Sequence, residues 1–567
     1  MEENKIFHLG LCLAGSVSAG SYTAGVLDYL LDALKIWEER KRQNLPDTPT
    51  QDVRISVIGG ASGGGMTGII ASSILQNEII PVKFPTSLKE VLADQPQNKL
   101  YNAWVDMLGE DMFPMMLDTA DIDKNKEITS LLNSDFIDKL ANKLVKAKEN
   151  KNRNFPGYIY SPLKVFLTLT NLAGFPYEIS YRGNTTLNKY YMAVHNDYAC
   201  FKLNTDEAEK DEWMPLDFAT GKNVETARLA AMATGAFPIF LKSRVLARET
   251  REVNKIRWLK YVDPVQGNEY VTQNIDGGIL NNEPFEIVRF VLNELTSQPD
   301  STIYNDPDFF KSTILLIDPF PSEKPADFKI DTGFLKTLAY TINCLVGQGR
   351  AKPGILASSV NIDLAGQFMI APSRRVPGSD GKEKQVQGEK AIASSSLDGF
   401  GGFLSKEFRV HDYFLGRYNC EIMLRDYFII PESSIDQNPI FKEGYSNVDK
   451  SKFWVLKKEK EIVDGKEVEV ERKYYPIIPL FQERTIGFPV PNFSSGINWP
   501  TINSKEVESF RSLIRKRAQV ILLTLLTKNT FRKILLWIGA KVVLNKIITK
   551  AIMEKIRNEL SEHRLLK

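Results

Sequence analysis

Short apolar runs that alternate with helical patterns fill the first 320 residues. The run Ile6–Leu13 predicts a buried strand, and a turn of small residues, 14–20, leads from it into a helix with its apolar side chains on one face. Val53–Ile58 repeats this plan, with a short strand, the glycine turn 59–65 and a second helix. Strands that alternate with helices favour a mostly parallel sheet in an α/β layer architecture.

The later patterns divide the chain into three parts. Segment 87–154 predicts mainly polar helices, and 224–233 predicts a helix of small residues. The further predicted strands are 165–171, 190–203, 271–275 and 313–317. Because the last of them completes the predicted sheet, we divide the chain into a domain 1–320, an α/β extension 321–503 and a helical tail 504–567. In the extension, 378–396 predicts a mobile loop, and Asp464-Gly465 predicts a two-residue hairpin turn.

The charge of the chain divides at Ser504. The 567 residues hold 72 Lys plus Arg and 70 Asp plus Glu, a net charge of +2. Residues 504–567 hold 15 Lys plus Arg and five Glu, a net of +10, which leaves −8 for the rest. This basic, apolar tail predicts either an amphipathic helix pair lying on an anionic membrane or a helical hairpin packed on the body or on a second subunit. Nucleic acid is disfavoured, because the basic segment carries few aromatic residues, with one close pair, Phe531 and Trp537, and matches no recognised nucleic-acid fold.

Cysteine use and the N-terminal segment predict a cytoplasmic protein. The four cysteines lie far apart, without a C-x-x-C pair, and the start of the chain lacks a basic segment and cleavage site typical of a secretory leader. No apolar stretch reaches the ~18 residues of a spanning helix. The membrane is therefore predicted only as a surface partner, at the inner face of the cytoplasmic membrane. No Cys/His cluster with metal-ligand spacing is present in the sequence, so we expect no metal.

The glycine turn after the second strand fits several motifs. Gly60-Ala61-Ser62-Gly63-Gly64 fits G-x-S-x-G between a strand and a helix, where glycines allow a sharp turn that exposes the serine hydroxyl. A P-loop is excluded, because Met66 stands where the phosphate-binding lysine must be. The glycines at 63, 65 and 68 also fit G-x-G-x-x-G, although the nearest acidic residue, Glu78, is too close for a ribose ligand. A dinucleotide-binding protein therefore stays open as an alternative.

Two more segments decide between these motifs. The turn within Leu11–Tyr22 precedes the G-x-S-x-G motif, and Asp276-Gly277-Gly278 ends a later strand, with Asn281-Asn282-Glu283-Pro284 behind it. Between them lies Ala236-Phe237-Pro238. In this order, the segments resemble the patatin-like phospholipase family over about residues 6–320.

The resemblance implies a fold and a set of site residues. The implied fold is a three-layer α/β/α core with a mostly parallel sheet, and the implied activity is that of a lipid acyl hydrolase, phospholipase A-like, without a cofactor. Ser62 is the implied nucleophile and Asp276 its base. The backbone donors implied for the oxyanion hole are those of Gly15, Ser16, Val17 and Gly20. The glycines implied in the two motifs are Gly60, Gly64, Gly277 and Gly278.

One departure from the family pattern bears on the rate. Many members carry Arg or Lys in the first turn, where this chain has Ala19, and two usual glycines are Ser16 and Val17. Backbone N–H groups survive such changes, but the electrostatic contribution of the cation is lost. A catalytically silent scaffold that binds partners therefore stays open as a second class of function, and a homo-oligomer is also compatible with the sequence.

His411 offers an alternative mechanism. Ser62, Asp276 and His411 follow the chain order of α/β-hydrolase triads. His411 lies in a dense charged and aromatic segment, beside Arg409 and Asp412, where a structural histidine is the simpler interpretation. We therefore keep the Ser-Asp dyad. Arg374 and Arg375 are read as a solvated edge, not as phosphate ligands.

Overall fold

A nine-stranded sheet forms the centre of the computed structural model. The structure describes residues 5–75, 80–109, 112–147, 155–180, 189–204, 211–259, 262–298, 306–321, 367–377, 382–463, 466–526 and 545–567, with six single residues between 330 and 347. The strands are β1 Ile6–Leu13, β2 Asp52–Gly60, β3 Ile159–Ser180, β4 Lys189–Leu203, β5 Met214–Pro215, β6 Arg244–Glu249, β7 Glu269–Asp276, β8 Ser312–Ile317, β9 Gln367–Ile370, β10 Ser373–Pro377, β11 Glu383–Gln387, β12 Ile429–Pro431, β13 Val455–Val463 and β14 Lys466–Pro476.

Helices flank the sheet and fill the segments between the strands. They are α1 Gly20–Arg42, α2 Ser62–Ser72, α3 Leu88–Leu92, α4 Lys99–Tyr101, α5 Met112–Met116, α6 Ala120–Asn125, α7 Asp135–Leu144, α8 Val224–Thr234, α9 Thr250–Val253, α10 Phe285–Thr296, α11 Lys406–Ile422, α12 Glu432–Gln437, α13 Pro439–Gly444, α14 Ser504–Leu526 and α15 Asn545–Glu562. The helical prediction for 87–154 is confirmed in α3 to α7, apart from 110–111 and 148–154, which lie outside the described residues.

The sheet is mostly parallel, as predicted. Its main path runs β5-β4-β3-β2-β1-β8-β9, and the five strands from β3 to β9 along this path are parallel neighbours. Strands β4 and β7 run antiparallel to β3, and β6 pairs with β7. The six predicted strands of this domain correspond to β1, β2, β3, β4, β7 and β8.

Two helical layers cover the sheet. Along β1 the side chains alternate, so that Leu11 and Leu13 pack in the cluster that contains α1, whereas Cys12 packs with α10 on the other face. On the α10 face, a Cβ on Gly59 would lie 2.9 Å from the Val288 side chain, so the glycine lets the helix approach the strand closely. The three-layer α/β/α core is thereby confirmed.

The strand register brings three chain segments to one edge. Leu13 pairs with Gly60 in β2 and with Ile317 in β8, so these parallel strands end at the same level. Gly60 pairs with Leu167 of β3, and Leu169, two residues further along β3, pairs with Asp276 of β7. The turns after β1, β2 and β7 therefore meet beyond the carboxyl ends of the parallel strands, where α/β sheets bind ligands.

The extension shares the core of the first domain, which corrects the prediction that the sheet ends near residue 320. Strand β9 of the extension pairs in parallel with β8, Leu316 opposite Met369. Helix α11 packs along α1 at a point where both backbones touch. A Cβ on Gly25 would lie 2.0 Å from the Tyr413 carbonyl oxygen, and one on Gly416 would lie 2.2 Å from the Tyr22 carbonyl oxygen.

Two local predictions in the extension have different outcomes. Segment 378–396 is not a mobile loop as far as it is described, because β10 and β11 form a hairpin and the residues from 391 to 396 are buried. Residues 464–465 lie outside the described residues, but the flanking strands pair with Val463 opposite Lys466, as the predicted hairpin requires.

The two described tail helices pack against each other and against the body. Their apolar residues join one buried cluster with Phe113 and Phe408, contributed by Val507, Phe510, Ile514, Met553, Ile556 and Leu560. Arg517 is buried in a 2.5 Å ion pair with Asp121. These six residues are therefore turned inward, as the packed-hairpin interpretation expects, whereas Leu525, Ile547 and Ile552 of the same helices are exposed. None of the helices in the described residues has the length and hydropathy needed to cross a bilayer.

Candidate active site

The turn between β2 and α2 exposes Ser62 at the carboxyl edge of the sheet. Ala61 is extended, and Ser62 opens α2 with a left-handed φ of +51°, a conformation that costs a non-glycine residue free energy and is found at functional turns. A Cβ on Gly60 would lie 2.8 Å from the Gly65 backbone, and one on Gly64 would lie 2.4 Å from the Leu13 carbonyl oxygen. Both motif glycines are thus required by close backbone contacts.

A short hydrogen bond joins Ser62 to Asp276. The Ser62 Oγ donates to Oδ2 of Asp276 at 2.6 Å, and the two residues are only 6% and 3% exposed. The second carboxylate oxygen, Oδ1, accepts from the Gly278 N–H at 2.7 Å. The Thr170 hydroxyl donates to the Asp276 carbonyl oxygen at 2.8 Å, which fixes the end of β7. The Gly278 amide therefore holds one carboxylate oxygen of Asp276 in place, and the other oxygen faces the Ser62 hydroxyl.

The two glycines after Asp276 leave room for this arrangement. A Cβ on Gly277 would lie 2.1 Å from the Thr168 carbonyl oxygen of β3, and one on Gly278 would lie 2.6 Å from Oδ1 of Asn282. Any side chain at either position would move the chain away from β3 or away from Asn282. The predicted motif glycines at 277 and 278 are therefore explained by their packing.

Thr234 is a contact of the serine that the sequence did not indicate. The Ser62 backbone N–H donates to Oγ1 of Thr234 at 2.9 Å, at the last residue of α8. The sequence pattern predicted α8 only as a helix of small residues, and these small residues let α8 pack closely on α2. In the sequence, only the position of Thr234 as a polar residue at the end of this helix could have indicated a contact with the site.

The turn after β1 lies directly beside Ser62. A Cβ on Gly15 would lie 3.1 Å from the Ser62 Cβ, and one on Gly63 would lie 2.4 Å from the Ser16 hydroxyl. Val17 has a φ of +44°, a rare conformation for a β-branched residue. Among the described residues, none accepts a hydrogen bond from the N–H of Gly15, Ser16 or Val17. These donors therefore remain available to a ligand near the serine.

Gly20, the fourth residue of the predicted oxyanion hole, has a different neighbour. It is the first residue of α1, and a Cβ there would lie 2.3 Å from the Trp104 indole. Gly20 therefore lies against Trp104 in the wall of the adjoining pocket, whereas Gly15 lies against Ser62 itself.

An apolar pocket opens at Ser62. Its empty space, including the mouth, is about 900 Å³. Ser62 is the one polar side chain among the described residues that line it; the rest of the lining is Val17, Gly63, Met66, Ile70, Ala103, Trp104, Leu108, Met116, Phe136, Ile137, Leu140, Ala141, Leu144, Val145, Ala231, Met232, Gly235, Phe237, Leu241 and Phe403. Much of this wall comes from the segment 87–154, whose helices the sequence pattern had marked as mainly polar.

His411 belongs to a different part of the structure. It is fully buried in α11, its Nδ1 lies 2.8 Å from Oδ1 of Asp412, and its ring packs edge-on against Trp499 at 4.9 Å. Burial lowers the pKa of His411 below its usual value. Its described contacts include neither Ser62 nor Asp276, so the structural interpretation of this histidine holds.

The arginine pair after β9 is only partly a solvated edge. The guanidinium of Arg374 stacks 3.7 Å over the Trp499 ring, and burial lowers its pKa to about 10. Arg375 is exposed and pairs with Glu383. The prediction of a solvated pair is therefore wrong for Arg374, which packs into the extension.

The glycines of the dinucleotide alternative lie within α2. The first of them, Gly63, packs against the turn after β1. A Cβ on Gly68 would lie 3.2 Å from the Ile58 side chain of β2. The acidic residue of that alternative, Glu78, lies outside the described residues. Within the described part of the chain, no group of three or more His, Cys, Asp or Glu side chains is placed to ligate a metal ion.

Comparison with known proteins gives two findings. A family model described as Patatin-like phospholipase matches residues 11–289, a range that contains the turn after β1, Ser62 and Asp276. A curated relative, the uncharacterized protein y4iI of Sinorhizobium fredii (strain NBRC 101917 / NGR234), is 29% identical, and the match covers 86% of this chain and 72% of the relative. The match to the relative therefore extends beyond the region that the family model covers.

Proposed function

Residues 11–289 of this chain form a patatin-like phospholipase domain, and from this premise we propose that the protein is a serine lipid acyl hydrolase of phospholipase A type. The family supports lipid acyl hydrolase activity in general. The Ser62–Asp276 dyad and the phospholipid substrate are our proposal. The observation that carries it is the 2.6 Å hydrogen bond from the Ser62 hydroxyl to a buried carboxylate, at the mouth of an apolar pocket.

The dyad provides both a nucleophile and a base. As the Ser62 Oγ attacks the ester carbonyl carbon, its proton passes to Oδ2 of Asp276. Collapse of the tetrahedral intermediate breaks the ester C–O bond, and the proton moves to the departing alcohol oxygen, which releases a lysolipid. A water molecule then gives a proton to Asp276 and attacks the acyl-enzyme carbon, so that the fatty acid leaves and Ser62 regains its proton.

Backbone N–H groups would stabilise the negative oxygen of each tetrahedral intermediate. Gly15, Ser16 and Val17 provide, on one side of Ser62, N–H groups that have no acceptor within the described part of the chain. The N–H of Gly63 lies in the first turn of α2, where a helix leaves its N–H groups without intrahelical acceptors and its dipole favours negative charge. Because Ala19 adds no cation to this turn, we propose that the oxyanion hole works through backbone donors alone.

The pocket indicates an acyl chain as the recognised group. A fatty acyl chain has no polar atom beyond its ester, and Ser62 is the one polar side chain among the described lining residues. Burial of a chain here would stabilise the complex by about 0.8 kcal/mol for each methylene group.

Hydrolysis of soluble esters tests this proposal. We expect kcat/KM on p-nitrophenyl esters to rise with acyl length until the pocket is filled, and we expect Ser62→Ala to abolish turnover and labelling by a fluorophosphonate. The rise should reach at most about fourfold per methylene group, the factor that 0.8 kcal/mol represents. A folded wild-type protein that neither turns over these esters nor takes the label would support the silent scaffold instead.

We also propose that the protein meets its substrate at an anionic membrane through the exposed basic residues of 504–567. Because many apolar residues of α14 and α15 pack inward, we propose that the exposed basic side chains make the main contact with the membrane. The exposed side chains of Arg515 and Lys516 on α14 are suitable probes. Arg515→Gln with Lys516→Gln should weaken sedimentation with anionic vesicles, more at low salt than at high salt.

A matched control changes the same amount of charge on the catalytic body. Lys89→Gln with Lys124→Gln alters two exposed lysines outside the tail. Equal loss of vesicle binding in the two double variants, or none in either, would contradict a role for the tail.

A further inference from the structure

A loop of the extension, Ser394–Phe403, is hydrogen-bonded to the turn that lies beside Ser62. The contact is made by Ser18, which follows Val17 and is fully buried. The Ser18 N–H donates to the Gly399 carbonyl oxygen at 3.1 Å, and the Ser18 hydroxyl donates to the same oxygen. The hydroxyl also accepts from the Gly402 N–H at 3.0 Å. Both the backbone and the side chain of Ser18 are thus fixed by this loop.

Helix α11 holds the loop at both ends. At the beginning, the two carboxylate oxygens of Asp412 accept from the N–H groups of Ala393 and Ser394, each at 2.8 Å. At the other end, Arg409 donates to the Gly402 carbonyl oxygen at 2.5 Å. Asp412 and Arg409 are both fully buried. The charged segment around His411 therefore fixes the loop that contacts Ser18.

Arg409 also connects the loop to the pocket wall. Its other terminal nitrogen, Nη2, donates to the carbonyl oxygens of Val105 at 3.2 Å and Gly109 at 2.5 Å. These two residues flank Leu108 in the segment that lines the pocket, and Phe403 at the end of the loop lines the same pocket. One guanidinium thus joins the extension, the loop and the pocket wall.

The loop has an unusual backbone that depends on these contacts. Leu397, Asp398 and Gly399 are three successive residues with φ values of +58°, +55° and +89°. Such conformations cost free energy for the two residues with side chains and persist only where the surroundings impose them. A Cβ on Gly399 would lie 3.3 Å from the Val17 Cβ, so the strained part of the loop lies against the turn itself.

We propose that the Ser394–Phe403 loop positions the oxyanion hole, with Ser18 as the positioning residue and Asp412 and Arg409 as its support. The inference rests on the proposed function, because it assigns a role to the turn in acyl transfer. Val17, next to Ser18, holds a left-handed conformation that directs the turn past Ser62. Because Ser18 is fixed by the loop, its neighbour Val17 is held in the left-handed conformation. The loop contacts thereby stabilise a backbone conformation that a glycine in place of Val17 would adopt more easily.

The test compares two serine variants in steady-state hydrolysis of a short-chain soluble ester. Ser18→Ala removes the hydroxyl that contacts Gly399 and Gly402. Ser395→Ala is the matched control, since Ser395 is a buried serine of the same loop whose hydroxyl donates to the Ile392 carbonyl oxygen at 2.9 Å, away from Ser18. We expect kcat to fall about 10- to 100-fold in Ser18→Ala, below the 10²- to 10³-fold loss for removing an oxyanion donor itself.

The division between kcat and KM separates positioning from a merely structural role. Oxyanion donors act on the transition state, so KM in Ser18→Ala should stay within about twofold of wild type. Ser395→Ala should keep the wild-type kcat at a similar melting temperature. If Ser18→Ala does not fold, Asp412→Asn serves as the test variant. Its amide N–H₂ would face one of the two backbone N–H groups that the carboxylate now accepts from, at Ala393 or Ser394. We expect the same fall in kcat.

The possible results distinguish a failure of this inference from a failure of the proposed function. A wild-type kcat in folded Ser18→Ala, or an equal loss in Ser395→Ala, would overturn the inference while leaving the proposed function intact. An inactive wild-type protein would overturn the proposed function, and this inference with it.

Discussion

The substitution Asp276→Asn tests the proposed base with almost no change in shape. The outcome depends on how the new amide is oriented. Because Oδ1 of Asp276 accepts from the Gly278 N–H at 2.7 Å, the amide carbonyl oxygen must take that position. The amide N–H₂ then faces the Ser62 Oγ, which the carboxylate now contacts at 2.6 Å. The substitution therefore replaces an acceptor for the serine proton by a donor.

The expected loss follows from the role of the base. General-base catalysis contributes about 10²- to 10⁴-fold, so kcat should fall by that factor, which is about 3 to 5 kcal/mol of transition-state stabilisation. The backbone bonds of Asp276 to Ala236 and Thr170 do not involve the carboxylate and remain. We therefore expect the free energy of unfolding to change by no more than about 1 kcal/mol.

The assay is turnover of a soluble ester by purified wild type, Asp276→Asn and Ser62→Ala, with thermal unfolding of each. Ser62→Ala defines the background. If folded Asp276→Asn kept a third or more of the wild-type kcat, Asp276 could not be the base, and the 2.6 Å contact would be only structural.

Three further predictions test the surroundings of the site and the fold. Thr234→Val removes the acceptor of the Ser62 N–H and leaves that donor buried, so kcat should fall about tenfold and stability by about 1 to 3 kcal/mol, whereas Thr234→Ser should behave as wild type. Gly416→Ala would place a Cβ 2.2 Å from the Tyr22 carbonyl oxygen and should cost about 2 to 3 kcal/mol of stability, and an unchanged melting temperature would refute that contact. Burial lowers the pKa of His8 to about 4, below its unfolded value of 6.5. As the pH falls, His8 therefore takes up its proton in the unfolded state before it does so in the folded state. The free energy of unfolding should fall by as much as about 3 kcal/mol between pH 6.5 and pH 4. In denaturation curves, His8→Gln should remove this part of the pH dependence.

Local sequence patterns were sufficient for the parallel core, and the family resemblance singled out Ser62 and Asp276, whose side chains are hydrogen-bonded in the structure. The strands around Leu11 and Ile58 were predictable because each is a short apolar run followed at once by small residues and a helix. Ser62 and Asp276 were predictable because glycines accompany them where backbones touch, and such glycines are visible in a sequence. Their packing partners on β3 and on the first turn were not.

The remaining features depend on contacts between residues far apart in the chain. Strand β9 joins the sheet beside β8 although the two strands are far apart in the chain, so its pairing partner could not be predicted from a local pattern. The pocket wall was missed because residues such as Trp104 and Leu144 lie among polar neighbours and face inward only in the folded protein. Ser18 and Gly399 are 381 positions apart, so nothing local links them.

The tail illustrates a different limit. Its basic and apolar residues alternate equally well for a helix on a membrane and for a helix on a protein surface. Phe510 packs edge-on against Phe113, with 5.0 Å between the ring centroids, and Arg517 pairs with Asp121. Both partners belong to the segment that also lines the pocket, and no pattern within 504–567 could identify them.

The most direct test of lipid acyl hydrolysis is mass spectrometry of phospholipid vesicles after incubation with the full-length protein. Vesicles of mixed zwitterionic and anionic phospholipids are treated with wild type or with Ser62→Ala, and free fatty acids and lysolipids are quantified. The proposed function predicts that both products accumulate together with the wild type and stay at background with Ser62→Ala. Equal amounts of product with the two proteins, or none with a folded wild type that binds the vesicles, would contradict it.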